Sequence, residues 1–370
     1  MRVATAANPP SRDNRFPPGI PYIVGNEAAE RFSFYGLRQI LYIYLVGLFV
    51  GFAAEHTVPA DLLADAKVRA TQWQHIFMAG VYLFPLIGGI LADRLLGKYR
   101  VIFWVSLIYV AGHGALAVAG HSGTAGNLGN AELFMIVGLA LIAVGSGGIK
   151  PCVSANVGDQ FNATNSHLVP RIFQLFYFVI NFGSFFASFL IPLIYKWQGP
   201  EWAFGVPGLL MALAAFIFWL GRRKFVRVPA QPGGGLGLLD FVTSTFLTFP
   251  LLFAIHVALE ESDNLVQAAT DGGGGAMLAA AGAVARHYWG WGVAGLGSFG
   301  VGLLLAHLRQ QRVPDTGFLA VLLYCFRHRS ERGPGGDFWS PARRRFGDET
   351  AEGPPAVLRI IVVFSMVSVF

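Results

Sequence analysis

Long apolar runs constrain this chain before any other feature does. A helix needs about 20 mostly apolar residues to cross the hydrocarbon core of a bilayer. Six stretches qualify before residue 225: Tyr22–Phe52, Gln74–Leu91, Val101–Ala119, Glu132–Cys152, Ile172–Tyr195 and Ala203–Leu220. Only 13% of the 370 residues are charged, whereas a soluble domain carries about a quarter. There is too little charge to wet a globule of this size, so the expected fold is an all-α membrane protein with a six-helix transmembrane bundle over residues 22–227.

The net charge of +6 raises nucleic acid as a partner, but the charges sit at the ends of apolar blocks rather than on one soluble face. That placement follows the positive-inside rule and argues for a lipid bilayer and against nucleic acid. The loop after the second block holds Arg94, Lys98 and Arg100, Arg171 follows the fourth, and Arg222, Arg223, Lys224 and Arg227 close the sixth. The intervening loops are poor in Lys and Arg or offset them with acids, as Glu55, Asp61 and Asp65 offset Lys67 and Arg69. The N-terminus, a polar, Pro-rich tail over residues 1–21 without a signal-peptide pattern, and the end of the sixth span are therefore expected in the cytosol. Cys152 and Cys325 stand far apart with no partner motif, so neither a metal nor a disulfide framework is expected.

Residues 228–353 read as a linker with two inserted helices and a basic cytosolic segment. The Pro/Gly stretch Pro229–Gly237 precedes apolar blocks at Leu238–Leu259 and Tyr288–Leu308, separated by Glu260, Glu261, Asp263, Asp271 and the run Gly272–Gly275. Arg309, Arg312, Arg327, Arg329, Arg332 and Arg343–Arg345 follow. This pattern fits a helical hairpin that returns to the cytosol, with a single amphipathic cytosolic insert as the alternative. Residues 354–370 form a new apolar run, too short to span, and are expected to be the cut start of a seventh core helix.

Ionisable groups inside a membrane are costly and mark function. In the first span Glu27, Glu30, Arg31, Phe34 and Arg38 recur at helical spacing on one stripe, with Tyr35 beside it. Two carboxylates beside one guanidinium form a cluster able to bind and release a proton. Interfacial snorkelling is the alternative for Glu27 and Glu30, though not for the deeper Arg38. The fourth span ends in Gly145-Ser-Gly-Gly-Ile-Lys150-Pro, whose glycines allow close helix approach or unwinding and whose Lys150 is placed to partner a first-span carboxylate. The string fails as a phosphate loop, because Lys150 neither follows Gly nor precedes Ser or Thr. His75 and His113, in or near spans two and three, suit either proton carriage or simple packing.

The strings Glu27-Ala-Ala-Glu30-Arg31-Phe-Ser-Phe-Tyr35-Gly36, Gly145-Ser-Gly-Gly-Ile-Lys150-Pro through Asp159-Gln160-Phe161, Phe176-Tyr-Phe-Val-Ile-Asn181-Phe-Gly183-Ser184 and Gly89-Ile-Leu-Ala-Asp93-Arg94-Leu-Leu-Gly97-Lys98 together resemble the signatures of the proton-dependent oligopeptide transporters of the major facilitator superfamily. The resemblance implies the N-terminal six-helix bundle of a major facilitator fold with an inserted helical hairpin, a partial further helix, and a C-terminal half expected but absent.

It further implies proton-coupled symport of di- and tripeptides across the cytoplasmic membrane by alternating access, with no cofactor. Glu27, Glu30, Arg31, Lys150 and His75 would couple protons. Arg38, Tyr35, Tyr82 and Asn181 would bind substrate, and the acid for the peptide amino group would lie in the absent half. Asp93, Arg94 and Gly97 would form the cytosolic gate. Phe34 stands where some members have Tyr. Nitrate or another small solute is the alternative cargo, and a truncated non-transporting membrane protein the alternative class; no nucleophile–base pair or metal-spaced cluster points to an enzyme.

Overall fold

The computed structural model describes residues 14–53, 55–312, 317–331 and 337–367. The tail to residue 13, Arg332, the last three residues of the closing run, and the side chains of Glu260, Asp263 and Asp271 lie outside the described residues.

The six apolar blocks become α1 (Ile20–Phe49), α2 (Ala60–Leu91), α3 (Lys98–Thr124), α4 (Leu128–Gly158), α5 (Val169–Gln198) and α6 (Pro200–Leu220). α2 starts well before its apolar block. Ala66 and Ala70 are buried one turn apart, and Arg69 stacks 4.1 Å from the Phe49 ring centroid, so packing at the end of α1 carries the helix through a charged segment. α1 packs on α5, α6 and α2, while α4 packs on α3 and α2, and α3 on α6. The buried core between these helices includes Leu37, Tyr44, Ile102, Tyr109, Leu116, Met135 and Phe204. Because lipid is as apolar as these side chains, the helices hold together by close packing and interhelical hydrogen bonds.

One end of the bundle gathers the start of α1, the α2–α3 and α4–α5 connections and the exit from α6. Gln160, just past α4, clasps Val226 through both its backbone N–H (2.9 Å) and its carbonyl (3.0 Å). Lys224 Nζ donates to the Tyr22 hydroxyl at 2.8 Å. The bases Arg94, Lys98, Arg171 and Arg222–Lys224 belong to these connections.

The insert begins with α7 (Gly234–His287), followed by α8 (Trp289–Arg312). Ser298 Oγ donates to the Phe246 carbonyl at 2.9 Å, and the Trp291 and Phe253 rings stack at 5.9 Å, so α8 runs antiparallel to the first half of α7. Phe253 also meets Tyr288 at 6.0 Å. The chain between them must therefore travel out and return. It reverses at Gly273, whose φ of 65° breaks the helix in a region that favours glycine. Among the described residues seven helices are long and apolar enough to cross a membrane: the six of the bundle and α8. The block Leu238–Leu259 is absorbed into α7 and is not one of the seven.

The chain divides into two compact units, Met1–Gly302 and Leu303–Phe370. In the second, α9 (Phe318–Arg327), α10 (Ser340–Phe346) and α11 (Asp348–Val367) share a small core of Val321, Cys325, Ala342 and Ala351. Asp337 opens α10: its carboxylate accepts from Ser340 Oγ at 2.9 Å and Arg343 Nη1 at 3.0 Å. The Ser340 hydroxyl, followed by Arg343, holds this carboxyl below its ordinary value. A folded-state value depressed in this way adds stability above the unfolded carboxylate range and loses it as pH falls. Asp337→Asn is therefore expected to speed proteolysis around α10 slightly at neutral pH. The difference from wild type should close once the pH drops below the carboxylate range, and equal rates at neutral pH would show that the Asp337 contacts contribute nothing.

Candidate functional site

α1 supplies the centre of the site. Its helical spacing sets Glu27 and Arg31 one turn apart, and Arg31 Nε donates to Glu27 Oε1 at 2.7 Å. The same nitrogen lies 3.2 Å from Glu30 Oε2, an ion-pair contact without hydrogen-bond alignment, since that oxygen has no hydrogen-bond partner. Glu27 and Glu30 are buried, which removes surface snorkelling as the account of either. Two carboxylates thus share one guanidinium, with Glu27 Oε2 and Glu30 Oε2 both left without a donor. A buried acceptor without a donor is costly, and protonation converts a carboxylate oxygen into a donor.

α4 meets this cluster along its glycine-rich stretch. The helix is continuous from Leu128 to Gly158, so the glycines serve close approach and not unwinding. A Cβ on Gly88 of α2 would stand 2.7 Å from the Gly147 carbonyl oxygen of α4. Next to Gly147, Ser146 Oγ donates across to α1, to Glu30 Oε1 at 3.2 Å. Sequence reasoning missed Ser146 as a ligand of Glu30. The only hint was its place one turn before Lys150, on the same α4 face.

Lys150 departs from expectation in its contact. Its Nζ lies 4.2 Å from the Phe34 ring centroid and 5.6 Å from that of Tyr82, and among the described residues no carboxylate stands within ion-pair distance. Phe34 lies one turn beyond Glu30 on α1, so its ring intercepts the ammonium before it reaches the carboxylate; cation–π attraction replaces the expected direct pair. Tyr35 sits half-buried with its ring edge-on to Phe34 at 5.6 Å.

Arg38, His75, Tyr82 and Asn181 are exposed on α1, α2 and α5. His75 and Tyr82 share a face of α2 two turns apart. Asn181 Nδ2 donates to the Tyr177 carbonyl of its own helix at 2.7 Å. None of these four joins the buried cluster, although Tyr82 touches it through Lys150.

Asp93 and Arg94 lie in a π-helical turn, Ala92–Leu96, after which Gly97 (φ 83°) admits the chain to α3. The Asp93 and Arg94 carbonyls accept from the Gln231 (2.9 Å) and Gly233 (3.1 Å) backbone N–H groups. Arg94 Nη1 pairs with Asp240 at 3.6 Å, and Lys98 with Asp159 at 2.8 Å. The loop is thereby tied both to the linker before α7 and to the end of α4.

Comparison with known proteins bears on the fold and the family. The family model described as POT family matches residues 99–236. Solute carrier family 15 member 2 of Rattus norvegicus is 36% identical over 227 residues, covering 58% of this chain and 28% of its own length. Peptide transporter family 1 of Drosophila melanogaster is 38% identical over 233 residues, covering 60% and 28%. Among solved structures, the POT family transporter PepTSo is 33% identical with a TM-score of 0.51, over 94% of this chain and 68% of that one. The chain belongs to the POT family. An auto-inhibited POT family peptide transporter is also similar, at 35% identity and a TM-score of 0.55 over 95% of this chain and 58% of that one. As a POT family member the chain is part of a multi-pass membrane transporter fold, and it spans under a third of the length of the curated relatives named here.

Proposed function

We propose that this chain forms the N-terminal wall of a proton-coupled symporter of di- and tripeptides, working by alternating access in the cytoplasmic membrane. The observation that carries the reading is the buried Glu27–Arg31–Glu30 cluster, with two carboxylate oxygens lacking donors. A permanently charged structural triad would have those acceptors filled. The N-terminus and the basic end of the bundle are assigned to the cytosol on charge grounds.

With both carboxylates ionised, Arg31 is held between them. Protonation of Glu30 removes its hold on Arg31, which settles on Glu27, and changes the field at Lys150. A peptide carries a fixed carboxylate and a fixed amino group. Lys150 and Arg38 favour the carboxylate, and Tyr35, Tyr82 and Asn181 offer hydrogen bonds that tolerate varied side chains. The exposure of Arg38, Tyr82 and Asn181 supports this role, because cavity-lining groups are open in a single bundle. His75, two turns before Tyr82, is assigned to the proton path. Asp93, Arg94 and Gly97, tied to the linker, serve the cytosolic gate, where opening exchanges one set of contacts for another.

The test is uptake of a labelled dipeptide into proteoliposomes under an inward proton gradient. It should be run with the chain as it stands and with the chain extended by whatever its reading frame encodes beyond Phe370. Gradient-dependent uptake that unlabelled tripeptide suppresses and nitrate does not is the expected result. Suppression by nitrate and not by tripeptide would transfer the reading to a small anion.

A further inference from the structure

Three polar residues of α3 take no part in the site so far described. Ser106, Tyr109 and His113 recur at helical spacing on one stripe, and all three are fully buried. Ser106 Oγ, the Tyr109 hydroxyl and His113 Nε2 have no hydrogen-bond partner in the protein. Buried polar groups almost always find partners, in protein or in ordered water.

The helices around this stripe form two stacked rings. In the first, Tyr109 Cβ packs against Gly145 of α4, where a glycine Cβ would stand at 2.8 Å, and the next residue, Ser146, donates to Glu30 of α1. In the second, one turn along both α1 and α3, Ser33 of α1 donates to the Pro207 carbonyl of α6 at 2.9 Å. The adjacent Gly208 faces His113 Cβ at 2.7 Å. Tyr109 and Glu30 therefore meet neighbouring residues of α4, Gly145 and Ser146, and His113 follows Tyr109 one turn on, their rings 5.1 Å apart. His113 Nδ1 lies 3.0 Å from the Phe204 carbonyl. A carbonyl can only accept, so Nδ1 carries the proton and Nε2 presents a bare lone pair.

We infer that Tyr109 and His113 continue the α1 cluster into the core as a reversible hydrogen-bond chain, with His113 as its terminal acceptor. The inference rests on reading Glu30 as the proton-binding group. The Tyr109 hydroxyl and Glu30 make no direct hydrogen bond in the structure, so a buried water is assigned between them. When Glu30 is ionised, the Tyr109 hydroxyl donates toward it through that water. When Glu30 takes up a proton, the carboxyl O–H donates through the same water to the Tyr109 oxygen, and the Tyr109 hydroxyl turns to donate through a second water to His113 Nε2. The only proton gained is the one on Glu30, and His113 stays neutral in one tautomer as a positioning residue. Without the terminal acceptor the second arrangement cannot close. The charged groups facing this chain are Glu27 and Arg31 from α1 and Lys150 from α4. α6 offers the Phe204 carbonyl, and its single acid, Glu201, pairs with His121 at 2.6 Å instead.

The test is infrared titration of the chain in lipid nanodiscs, which requires no transport. The protonated-carboxyl band lost in Glu30→Gln identifies the residue. His113→Asn keeps a donor for Phe204 but removes the Nε2 acceptor. It should lower the pH midpoint of the band by about 0.5–1 unit, the worth of one net hydrogen bond. His113→Gln, whose oxygen reaches the Nε2 position, should restore the midpoint, and His113→Asn in a Tyr109→Phe background should have no further effect, as expected for members of one chain. A Glu30 band that His113→Asn leaves in place overturns the chain alone. A titrating band that survives Glu30→Gln overturns the reading of Glu30 and the chain with it.

Discussion

In the full-length symporter proposed above, Glu30→Gln is expected to reduce peptide uptake driven by a proton gradient to the rate seen without one, while peptide counterflow between equal pools continues. The neutral amide keeps the shape of the side chain and can still accept from Ser146 Oγ, which lies 3.2 Å from Glu30 Oε1 in the wild type. It can neither ionise nor hold Arg31 by charge, so it imitates the protonated carboxyl permanently. Exchange needs the bundle halves to rock with substrate bound. Net driven uptake also needs the empty carrier to return with its proton released, and that step is the one removed. Gradient-driven uptake at the wild-type rate in Glu30→Gln, measured in proteoliposomes of defined internal pH, would sink the assignment.

A second large effect is expected at a residue that carries no charge. Gly88→Ala places its Cβ 2.7 Å from both the Gly147 carbonyl oxygen and Gly148 Cα. Those atoms are helix backbone and cannot rotate aside, so α2 and α4 must separate. Overpacking of this kind costs about 1–3 kcal/mol, and in a bundle held by close packing it should appear as a lower melting temperature and a broadened peak in size-exclusion chromatography. Gly89→Ala is the control: its Cβ would meet only Pro151 Cβ, at 3.9 Å, an ordinary contact. Equal stability of the two variants would show that the α2–α4 interface is not set by this approach.

Those two neighbouring glycines also mark what the amino-acid order can reveal. The six spans were legible because twenty-residue apolar runs have one structural solution in lipid. The Glu27–Glu30–Arg31 grouping was legible because helical spacing alone puts those residues together. Contacts between helices were not. Ser146 meets Glu30 across 116 positions, and Tyr109 and His113 look like an ordinary aromatic and a lone histidine until α4 and α6 are packed around them. Lys150 was expected to pair with a carboxylate, yet Phe34, on the same stripe of α1, takes the ammonium on its ring. The insert was read as two blocks of ordinary length. Its first block proved to be the opening of a much longer helix, because nothing in the Gly272–Gly275 run says which glycine will turn.

That turn has a practical side. From Phe253 the chain runs outward for nineteen residues before Gly273 sends it back to Tyr288, and at 1.5 Å per residue the outward limb measures about 28 Å. Small transporters are poor subjects for single-particle imaging because little of their mass offers a handle for aligning images. A fiducial protein grafted at the tip of this arm, near Gly273, would be attached to none of the residues that build the buried carboxylate cluster and would give orientation to the particle.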